Sequence, residues 1–363
     1  MIKTFTALNS SKKRSYKIAN NNLTYFIADI AANHDGILDK AIQLIHLAKE
    51  SGADAVKFQH FSAETIVSDK SFRSLNNKLS HQASWKKSVF DVYRDASINV
   101  NWTKVLKENC DKVQIDFFTS PYSLELVDYV DPYVFAYKIG SGDITWIDII
   151  SHIAKKNKPV FIATGASNLD EVRRAVNAIK KYNKKKICIM QCNTNYTGKL
   201  DNFNYINLNV LKTFKKKFPE CLLGLSDHTP GHSTVLGAIA IGARVIEKHF
   251  TISNNNIGPD HKFSMTPKTW KEMVDRSREL ELALGTDLKK IEKNELDTVV
   301  LQRRSLHVNK FIKKGSKINK NDIICLRPCL KGSINPYDFK LIKNKVIKKD
   351  LEKGEIIFWK DLK

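Results

Sequence analysis

The amino-acid sequence predicts an α/β fold in which a (β/α)8 barrel of the TIM type is followed by a small β-rich domain. Three features support this: eight short apolar runs, helical periodicity between them, and a different pattern near the carboxyl end. The runs are rich in β-branched residues and close on polar residues or glycine: FIADIAANHDG, AVKFQHF, DFFTSPY, AYKIGSGD, PVFIATGAS, ICIMQCNTNY, LLGLSDHT and ARVIEKHF. Continuous apolar strands that alternate with helices indicate a parallel sheet, and eight of them close a barrel.

The first 23 residues form a predicted N-terminal extension, which is basic and lacks the apolar stretch of a signal peptide. The barrel is expected to span residues 24–285. Its first helix is expected over residues 37–49, because apolar residues recur there on one face and Gly52 follows as a C-terminal cap. A later helix is expected to begin at Ser167, which with Asp170 matches a capping-box pattern.

A linker over residues 286–302 and a second domain over residues 303–363 are expected to follow the barrel. The linker is rich in charged residues. Beyond it the sequence changes to short strand-like segments and two turns, KKG and EKG, each followed by isoleucine-rich segments. This pattern predicts a small β-rich domain that is separate from the barrel.

Composition and charge argue against several classes of protein. Hydrophobic residues make up 42% and charged residues 27% of the 363 positions, as in an ordinary globular protein. No apolar run reaches the roughly 18 residues of a membrane span, so we expect a cytoplasmic protein with no membrane partner. The six cysteines lack CxxC spacing, which predicts reduced thiols. The net charge of +22 is spread along the chain without a nucleic-acid-binding signature, so no nucleic-acid partner is expected.

Polar side chains at the strand ends are candidates for a site at the barrel mouth. The chemistry of a (β/α) barrel sits at the carboxyl ends of its strands, and residues two apart share a face. His249 on the eighth strand and His228 on the seventh are therefore expected to lie close together, with Glu247 and Ser226 on the same faces. Two neutral imidazoles with open positions predict a site for Mn²⁺ or Mg²⁺. The alternative is that each histidine only hydrogen-bonds in the core or binds substrate.

Lys57 and Lys138 lie within apolar runs, where an unpaired ammonium group would be costly. A phosphate or carboxylate ligand would satisfy both lysines, helped by nearby hydroxyl groups on Thr119, Ser120, Ser141 and Ser226. Two alternatives stay open. One is a set of internal ion pairs with Asp29, Asp143 or Glu247. The other is Schiff-base chemistry at one of the lysines, as in an aldolase.

The strand-end motifs resemble those of the sialic acid synthase family, which uses phosphoenolpyruvate to make N-acetylneuraminate and its bacterial relatives legionaminate and pseudaminate. The matching motifs run in order over nearly the whole chain: IADIAANHDG, GADAVKFQ, FFTSPYS, YKIGSGD, KPVFIATGAS, GLSDHTPG, VIEKHFT, GPDHKFSM, RRSL and LRP. The resemblance implies a (β/α) barrel joined to an antifreeze-like (SAF) domain. It also implies a condensation in which the methylene carbon of phosphoenolpyruvate attacks the aldehyde of an open-chain N-acetylmannosamine-like sugar, water adds, and phosphate leaves.

The same resemblance implies roles for individual residues. His228 and His249 match the metal ligands. The phosphoenolpyruvate contacts match Lys57, Thr119, Lys138, Ser141 and Ser226, and the sugar-binding positions match Gln59, Tyr196, Asp260 and Arg327. The small domain of one subunit would insert Arg327 over the partner's site, which implies a domain-swapped homodimer. Asp29 and Glu247 are assigned catalytic roles, Asp29 in proton transfer around the aldehyde and the attacking water, and Glu247 in orienting His249 or a water molecule.

The chain departs from the family pattern at several positions. Asp29 and Asp143 stand where glutamate is usual, Thr194 stands where asparagine is expected, and Ala163 replaces a frequent serine. Because these changes surround the sugar and the phosphate, a related 2-acetamido sugar fits as well as N-acetylmannosamine. The rival hypotheses are another phosphoenolpyruvate-aldose condensing enzyme, a Schiff-base aldolase, and a non-catalytic binding protein.

Overall fold

The computed structural model describes residues 4–8, 15–19, 23–75, 82–83 and 85–363. The chain divides into two compact units, residues 1–285 and residues 286–363. Within the described residues, no helix combines the length and the apolar character that crossing a membrane would require.

Eight parallel strands close into a barrel in the first unit, as the sequence predicts. Each strand overlaps one of the eight apolar runs, and the last strand closes the barrel by pairing with the first. The strands are β3 Tyr25–Asp29, β4 Ala55–His60, β5 Asp116–Pro121, β6 Tyr137–Ile139, β7 Val160–Ala163, β8 Ile187–Cys192, β9 Leu222–Asp227 and β10 Val245–His249.

An antiparallel pair of strands precedes the barrel. β1 Thr4–Leu8 pairs with β2 Ser15–Ala19, with Thr4 opposite Ala19. The sequence predicts only an extension here, because the two segments carry no pattern that distinguishes a hairpin from an irregular basic stretch.

Helices cover the outside of the barrel and connect its strands. Those of the first unit are α1 Leu38–Glu50, α2 Ala63–Ile66, α3 Asp69–Ser74, α4 Val89–Ala96, α5 Thr103–Val113, α6 Leu124–Val130, α7 Ile147–Lys155, α8 Leu169–Tyr182, α9 Val210–Lys217, α10 Ser233–Ile241 and α11 Pro267–Leu284. The predicted first helix is confirmed as α1, and its apolar stripe is buried. Gly52 follows this helix with a φ of 92°, the left-handed conformation that a side chain would disfavour.

The start of α8 corrects one prediction. Asn168, rather than Ser167, caps this helix, because its side chain accepts from the backbone N–H groups of Asp170 and Glu171. Glu171 in turn accepts from the Asn168 N–H, which completes a capping box one residue later than expected. The Ser167 hydroxyl instead donates to the carbonyl of Thr164 in the preceding turn.

The second unit is a small β-rich fold with its own apolar core, as predicted. β11 Ser305–Val308 pairs with β12 Ile323–Leu326 in an antiparallel sheet, and two short helices are present, α12 Leu296–Gln302 and α13 Phe339–Ile342. The KKG and EKG turns place Gly315 and Gly354 at φ values of 88° and 89°, which explains the glycine in each. The core is formed by Leu306, Val308, Ile312, Ile318, Ile334, Ile342, Ile347, Leu351, Ile357 and Leu362.

The barrel interior holds both apolar and charged side chains. Phe118 of β5 and Phe161 of β7 meet at 5.3 Å between ring centroids although β6 separates their strands, so both rings point inward. Lys138 of β6 lies beside Phe161 in register and also points inward, towards Glu247 on the far side of the barrel. The inward phenylalanine rings are therefore in register with the inward lysines, Phe118 with Lys57 and Phe161 with Lys138.

Candidate active site

Two lysines and two carboxylates form a charged cluster in the barrel interior. Lys57 Nζ donates to Asp29 Oδ2 at 2.7 Å, and Lys138 Nζ donates to Glu247 Oε1 at 2.5 Å. Lys57 also approaches Glu247 at 4.0 Å, which joins the two pairs into one cluster. All four side chains are buried. The internal ion pairs that the sequence left open therefore exist, between Lys57 and Asp29 and between Lys138 and Glu247.

Burial and the ion pairs act in opposite directions on the protonation of this cluster. Burial alone would raise the pKa of Glu247, but Lys138 and Lys57 outweigh it and bring the pKa to about 2. Burial alone would lower the pKa of Lys57, but Asp29 and Glu247 hold it above its ordinary value. For Asp29, burial dominates over the attraction of Lys57, so its pKa is raised. Glu247 is thus the fixed negative charge of the cluster, and Asp29 is the carboxyl that most readily holds a proton.

His228 and His249 lie next to each other at the barrel mouth, as predicted from their placement on neighbouring strands. Their ring centroids are 5.4 Å apart. Burial, reinforced by His249, lowers the pKa of His228 to about 3, and burial lowers the pKa of His249 to about 4. Both imidazoles are therefore neutral at pH 7, the form that ligates metal ions.

Each of the two imidazole rings, His228 and His249, keeps a ring nitrogen that is free to bind a metal ion. His228 Nδ1 lies 2.8 Å from the Asn193 carbonyl, which fixes the proton on Nδ1 and leaves Nε2 with a lone pair. Within the part of the chain that the structure describes, the buried His249 Nδ1 has no hydrogen-bond partner, and Asp260 Oδ2 lies 3.9 Å away. Among the described residues, no group of three or more His, Cys, Asp or Glu side chains is placed to hold a metal ion. The residues present fit a cation held by two histidines, with its other positions open to small ligands.

A cavity of about 460 Å³ opens beside these groups. Its polar lining includes five residues singled out by the sequence: Gln59, Ser141, Tyr196, His249 and Asp260. Asp143 also lines the cavity, and burial raises the pKa of its carboxyl to about 6. Thr194, one of the departures from the family pattern, lines it as well, whereas Ala163 is buried in β7.

Three of the predicted sugar-binding side chains are held in place by neighbouring groups: Gln59 by the charged cluster, Asp260 by a backbone N–H group and Tyr196 by a histidine ring. Gln59 Nε2 donates to Asp29 Oδ2 at 3.2 Å, and Asp260 Oδ2 accepts from the backbone N–H of Ala32 at 3.1 Å. The Tyr196 ring packs on His228 with 4.2 Å between centroids. These contacts place an amide, a carboxylate and a phenol around one cavity.

The hydroxyls predicted to assist the lysines are placed differently from one another. Ser226 donates to Glu247 Oε1 at 3.0 Å, and Ser141 accepts from the N–H of Gly165 at 3.0 Å. Thr119 points away from the barrel interior. Its hydroxyl donates to the Phe58 carbonyl and lies 2.8 Å from His60 Nδ1.

Ser120 occupies the inward position of this strand. It is in register with Gln59, and among the described residues its buried hydroxyl has no hydrogen-bond partner. The structure therefore directs the Ser120 hydroxyl into the barrel and the hydroxyl of Thr119, the predicted phosphoenolpyruvate contact, away from it. Side chains alternate between the two faces of β5, so only one of the two adjacent hydroxyls can point inward. The sequence does not show which one, because Thr119 and Ser120 are neighbours at the end of an apolar run.

The sequence reasoning missed the aromatic wall of the cavity. Four aromatic rings line it and contact one another in the order Trp85, Tyr93, Phe61 and Tyr122, with 5.6 to 6.3 Å between the centroids of neighbouring rings. Several of these residues come from the segment after β4, where the short helices α2, α3 and α4 are inserted before α5, the helix that leads into β5. That segment has no strong periodicity, so only its aromatic content could have signalled the wall.

Arg327, the remaining predicted sugar contact, belongs to the second unit. It is exposed and follows β12.

The comparisons with known proteins agree with this geometry. An N,N'-diacetyllegionaminic acid synthase from Campylobacter jejuni is 34% identical over 92% of this chain and 98% of its own length. A pseudaminic acid synthase from the same organism is 31% identical over 92% of this chain and 95% of its own length. The crystal structure of an N-acetylneuraminic acid synthetase from Leptospira borgpetersenii matches with a TM-score of 0.70 and 26% identity, covering 82% of this chain and 96% of that one.

The family models divide the chain between them. The NeuB family model matches residues 44–289, and the SAF domain model matches residues 303–363. The barrel match covers more than half of the chain, and the named relatives are synthases. The chain therefore belongs to the NeuB family, as an enzyme that forms carbon–carbon bonds and carries a SAF domain.

Proposed function

We propose that this enzyme condenses phosphoenolpyruvate with an open-chain 2-acetamido sugar and water, giving a nonulosonic acid of the sialic type and phosphate. The observation that carries the proposal is a pair of adjacent neutral histidines, of which His249 lines the cavity, together with two buried lysines in a charged cluster that contacts the cavity-lining Gln59. The lysines suit an anion with phosphate and carboxylate groups. The histidines suit a divalent cation next to an aldehyde.

Lys57 and Lys138 would bind phosphoenolpyruvate, with Ser120, Ser141 and Ser226 donating hydrogen bonds. Both lysines already face carboxylates, so the incoming anion shares them with Asp29 and Glu247. The unpartnered Ser120 hydroxyl gains an acceptor, which removes the cost of leaving it buried alone. This arrangement also disfavours the Schiff-base alternative, because a nucleophilic lysine needs a depressed pKa and the pKa of Lys57 is raised.

His228 and His249 would hold Mn²⁺ or Mg²⁺, which supplies Lewis-acid polarisation of the sugar aldehyde. Gln59, Tyr196 and Asp260 would bind and orient the sugar hydroxyls, and thereby hold its C1 near the methylene carbon of phosphoenolpyruvate. Glu247, a fixed negative charge, favours the cation that develops at C2 after carbon–carbon bond formation.

Asp29 is suited to move the protons of the reaction. Its raised pKa favours a protonated carboxyl group, which can give its proton to the aldehyde oxygen as the new carbon–carbon bond forms. The resulting carboxylate then takes a proton from the water that attacks C2. Phosphate leaves as the bond between C2 and the bridging oxygen breaks, so Asp29 ends the cycle protonated.

The aromatic wall bears on which sugar is used. Apolar side chains around the cavity favour a sugar with methyl groups, such as an acetamido substituent or a 6-deoxy carbon. The legionaminic and pseudaminic acid synthases among the relatives agree with a sugar of this kind. The reaction would occur in the cytoplasm, where six free cysteines stay reduced.

Arg327 would complete the site in a domain-swapped homodimer. The second unit of one protomer would carry its exposed guanidinium group to the sugar in the partner's barrel. Closing the mouth in this way would exclude water from the reacting carbons.

The test is phosphate release by the purified full chain with phosphoenolpyruvate and Mn²⁺. Candidate sugars are N-acetylmannosamine, 2,4-diacetamido-2,4,6-trideoxyhexoses and a pentose phosphate, each with and without EDTA. We expect EDTA-sensitive phosphate release with at least one acetamido sugar. Release with none of them would contradict the proposal, and release only with the pentose phosphate would point to another condensing enzyme. Borohydride trapping of pyruvate on Lys57 or Lys138 would establish an aldolase instead.

A further inference from the structure

Lys248 and Asp227 form a second buried ion pair on the outer face of the barrel. They face each other across the β9–β10 register, one residue before His228 and one before His249. Because side chains alternate along strands, the histidines point into the barrel mouth and this pair points towards helix α10. The two residues are only 1% and 2% exposed.

Every polar group of the pair has a partner. Lys248 Nζ donates to Asp227 Oδ2 and, at 2.6 Å, to the carbonyl of Thr229. Asp227 also accepts from the backbone N–H and the hydroxyl of Thr229, and from the hydroxyl of Thr234 at 2.8 Å. The network therefore ties strand β10, the turn after β9 and the start of α10 to one carboxylate.

Stability alone does not account for this arrangement. A buried ion pair pays a desolvation cost that apolar residues of similar volume avoid, so replacing both partners is often neutral or stabilising. The charged pair instead restricts the relative positions of the two strand ends that carry the histidines. It fixes the backbone of Thr229, immediately after His228, to the side chain immediately before His249.

We propose that the Lys248–Asp227 pair is a positioning device that holds the His228 and His249 imidazoles at the spacing needed to bind a divalent cation. The inference rests on the proposed function, because it assumes that these two histidines are the ligands. The pair touches neither cation nor substrate and acts through the backbone turns from which the histidines project.

The test is the affinity of the full chain for Mn²⁺, measured by electron paramagnetic resonance of the free ion without substrates. The main variant is Lys248→Met with Asp227→Leu, which removes both charges together. We expect its affinity for Mn²⁺ to fall about 10- to 100-fold, the usual range for loss of a supporting group around metal ligands. Its circular dichroism and its affinity for phosphoenolpyruvate should stay close to those of the wild type. The matched control removes an ion pair from helix α5, Lys107→Met with Asp111→Leu, and should bind Mn²⁺ like the wild type.

The outcomes separate the inference from the proposed function. If the wild type binds no Mn²⁺, or His249→Ala binds it as well as the wild type, the metal site and the inference both fail. If His249→Ala loses Mn²⁺ while the folded double variant keeps wild-type affinity, only the positioning role is overturned. If the double variant does not fold, Thr229→Val decides, because it removes the hydroxyl that contacts both carboxylate oxygens of Asp227 and leaves the Lys248–Asp227 charges paired. It should weaken Mn²⁺ binding on the order of 10-fold, and unchanged affinity would overturn the positioning role.

Discussion

The charged form of Asp143 should destabilise the folded protein, and a substitution that removes the charge should therefore stabilise it more at high pH than at low pH. Its carboxyl lines the cavity, and burial raises its pKa from 3.8 to about 6. Between these values the folded protein holds a proton that the unfolded chain releases, so stability falls as pH rises through this window. The difference in pKa between the unfolded and folded states lowers the free energy of unfolding by about 3 kcal/mol at pH 8 and by only about 1 kcal/mol at pH 4.5.

The variant Asp143→Asn keeps the shape and removes the charge. Urea unfolding at both pH values should show it more stable than the wild type by about 3 kcal/mol at pH 8 and by about 1 kcal/mol at pH 4.5. Asp287→Asn, at an exposed position in the second unit, is the control for the substitution itself. A pH-independent difference for Asp143→Asn, or a loss of stability at pH 8, would refute the raised pKa of the Asp143 carboxyl in the cavity.

Three further substitutions test the site. His249→Ala should abolish metal-dependent turnover while the protein stays folded, because a residue at a strand end contributes little to the core; full activity would refute the metal assignment. Ser120→Ala should raise the KM for phosphoenolpyruvate about 5- to 10-fold, through loss of a hydrogen bond of roughly 1 kcal/mol or more, whereas Thr119→Val should leave this KM unchanged; the reverse pattern would contradict the orientation of β5. Arg327→Ala should mainly raise the KM for the sugar, and an unchanged KM would argue against delivery of Arg327 to a partner's site.

The strand pattern was sufficient to predict the barrel and the meeting of the two histidines. Each strand is apolar until its last residues, so the sequence marks both where a strand lies and which end is polar. His228 and His249 sit one residue beyond or at the end of adjacent strands. Their proximity follows from closure of an eight-stranded sheet, which needs no knowledge of side-chain contacts.

The sequence did not predict features that depend on a shift of one residue along an element, or on which residues from distant parts of the chain meet. Ser120 and Thr119 differ only in the direction that alternation assigns them, and Asn168 caps a helix that the sequence would equally begin at Ser167. The partners of Lys57 and Lys138 lie 28 and 109 positions away along the chain. Local sequence shows that a buried lysine needs an anion, but only the fold shows which carboxylate supplies it.

The fate of the bridging oxygen of phosphoenolpyruvate tests the proposed condensation most directly. The substrate would carry ¹⁸O between C2 and phosphorus, and the phosphate released with the active acetamido sugar would be analysed by ³¹P NMR. Attack of water at C2, followed by cleavage of the bond from C2 to the bridging oxygen, predicts that the ¹⁸O appears in phosphate. Retention of the ¹⁸O in the sugar acid would contradict the account, because water would then have attacked phosphorus rather than C2.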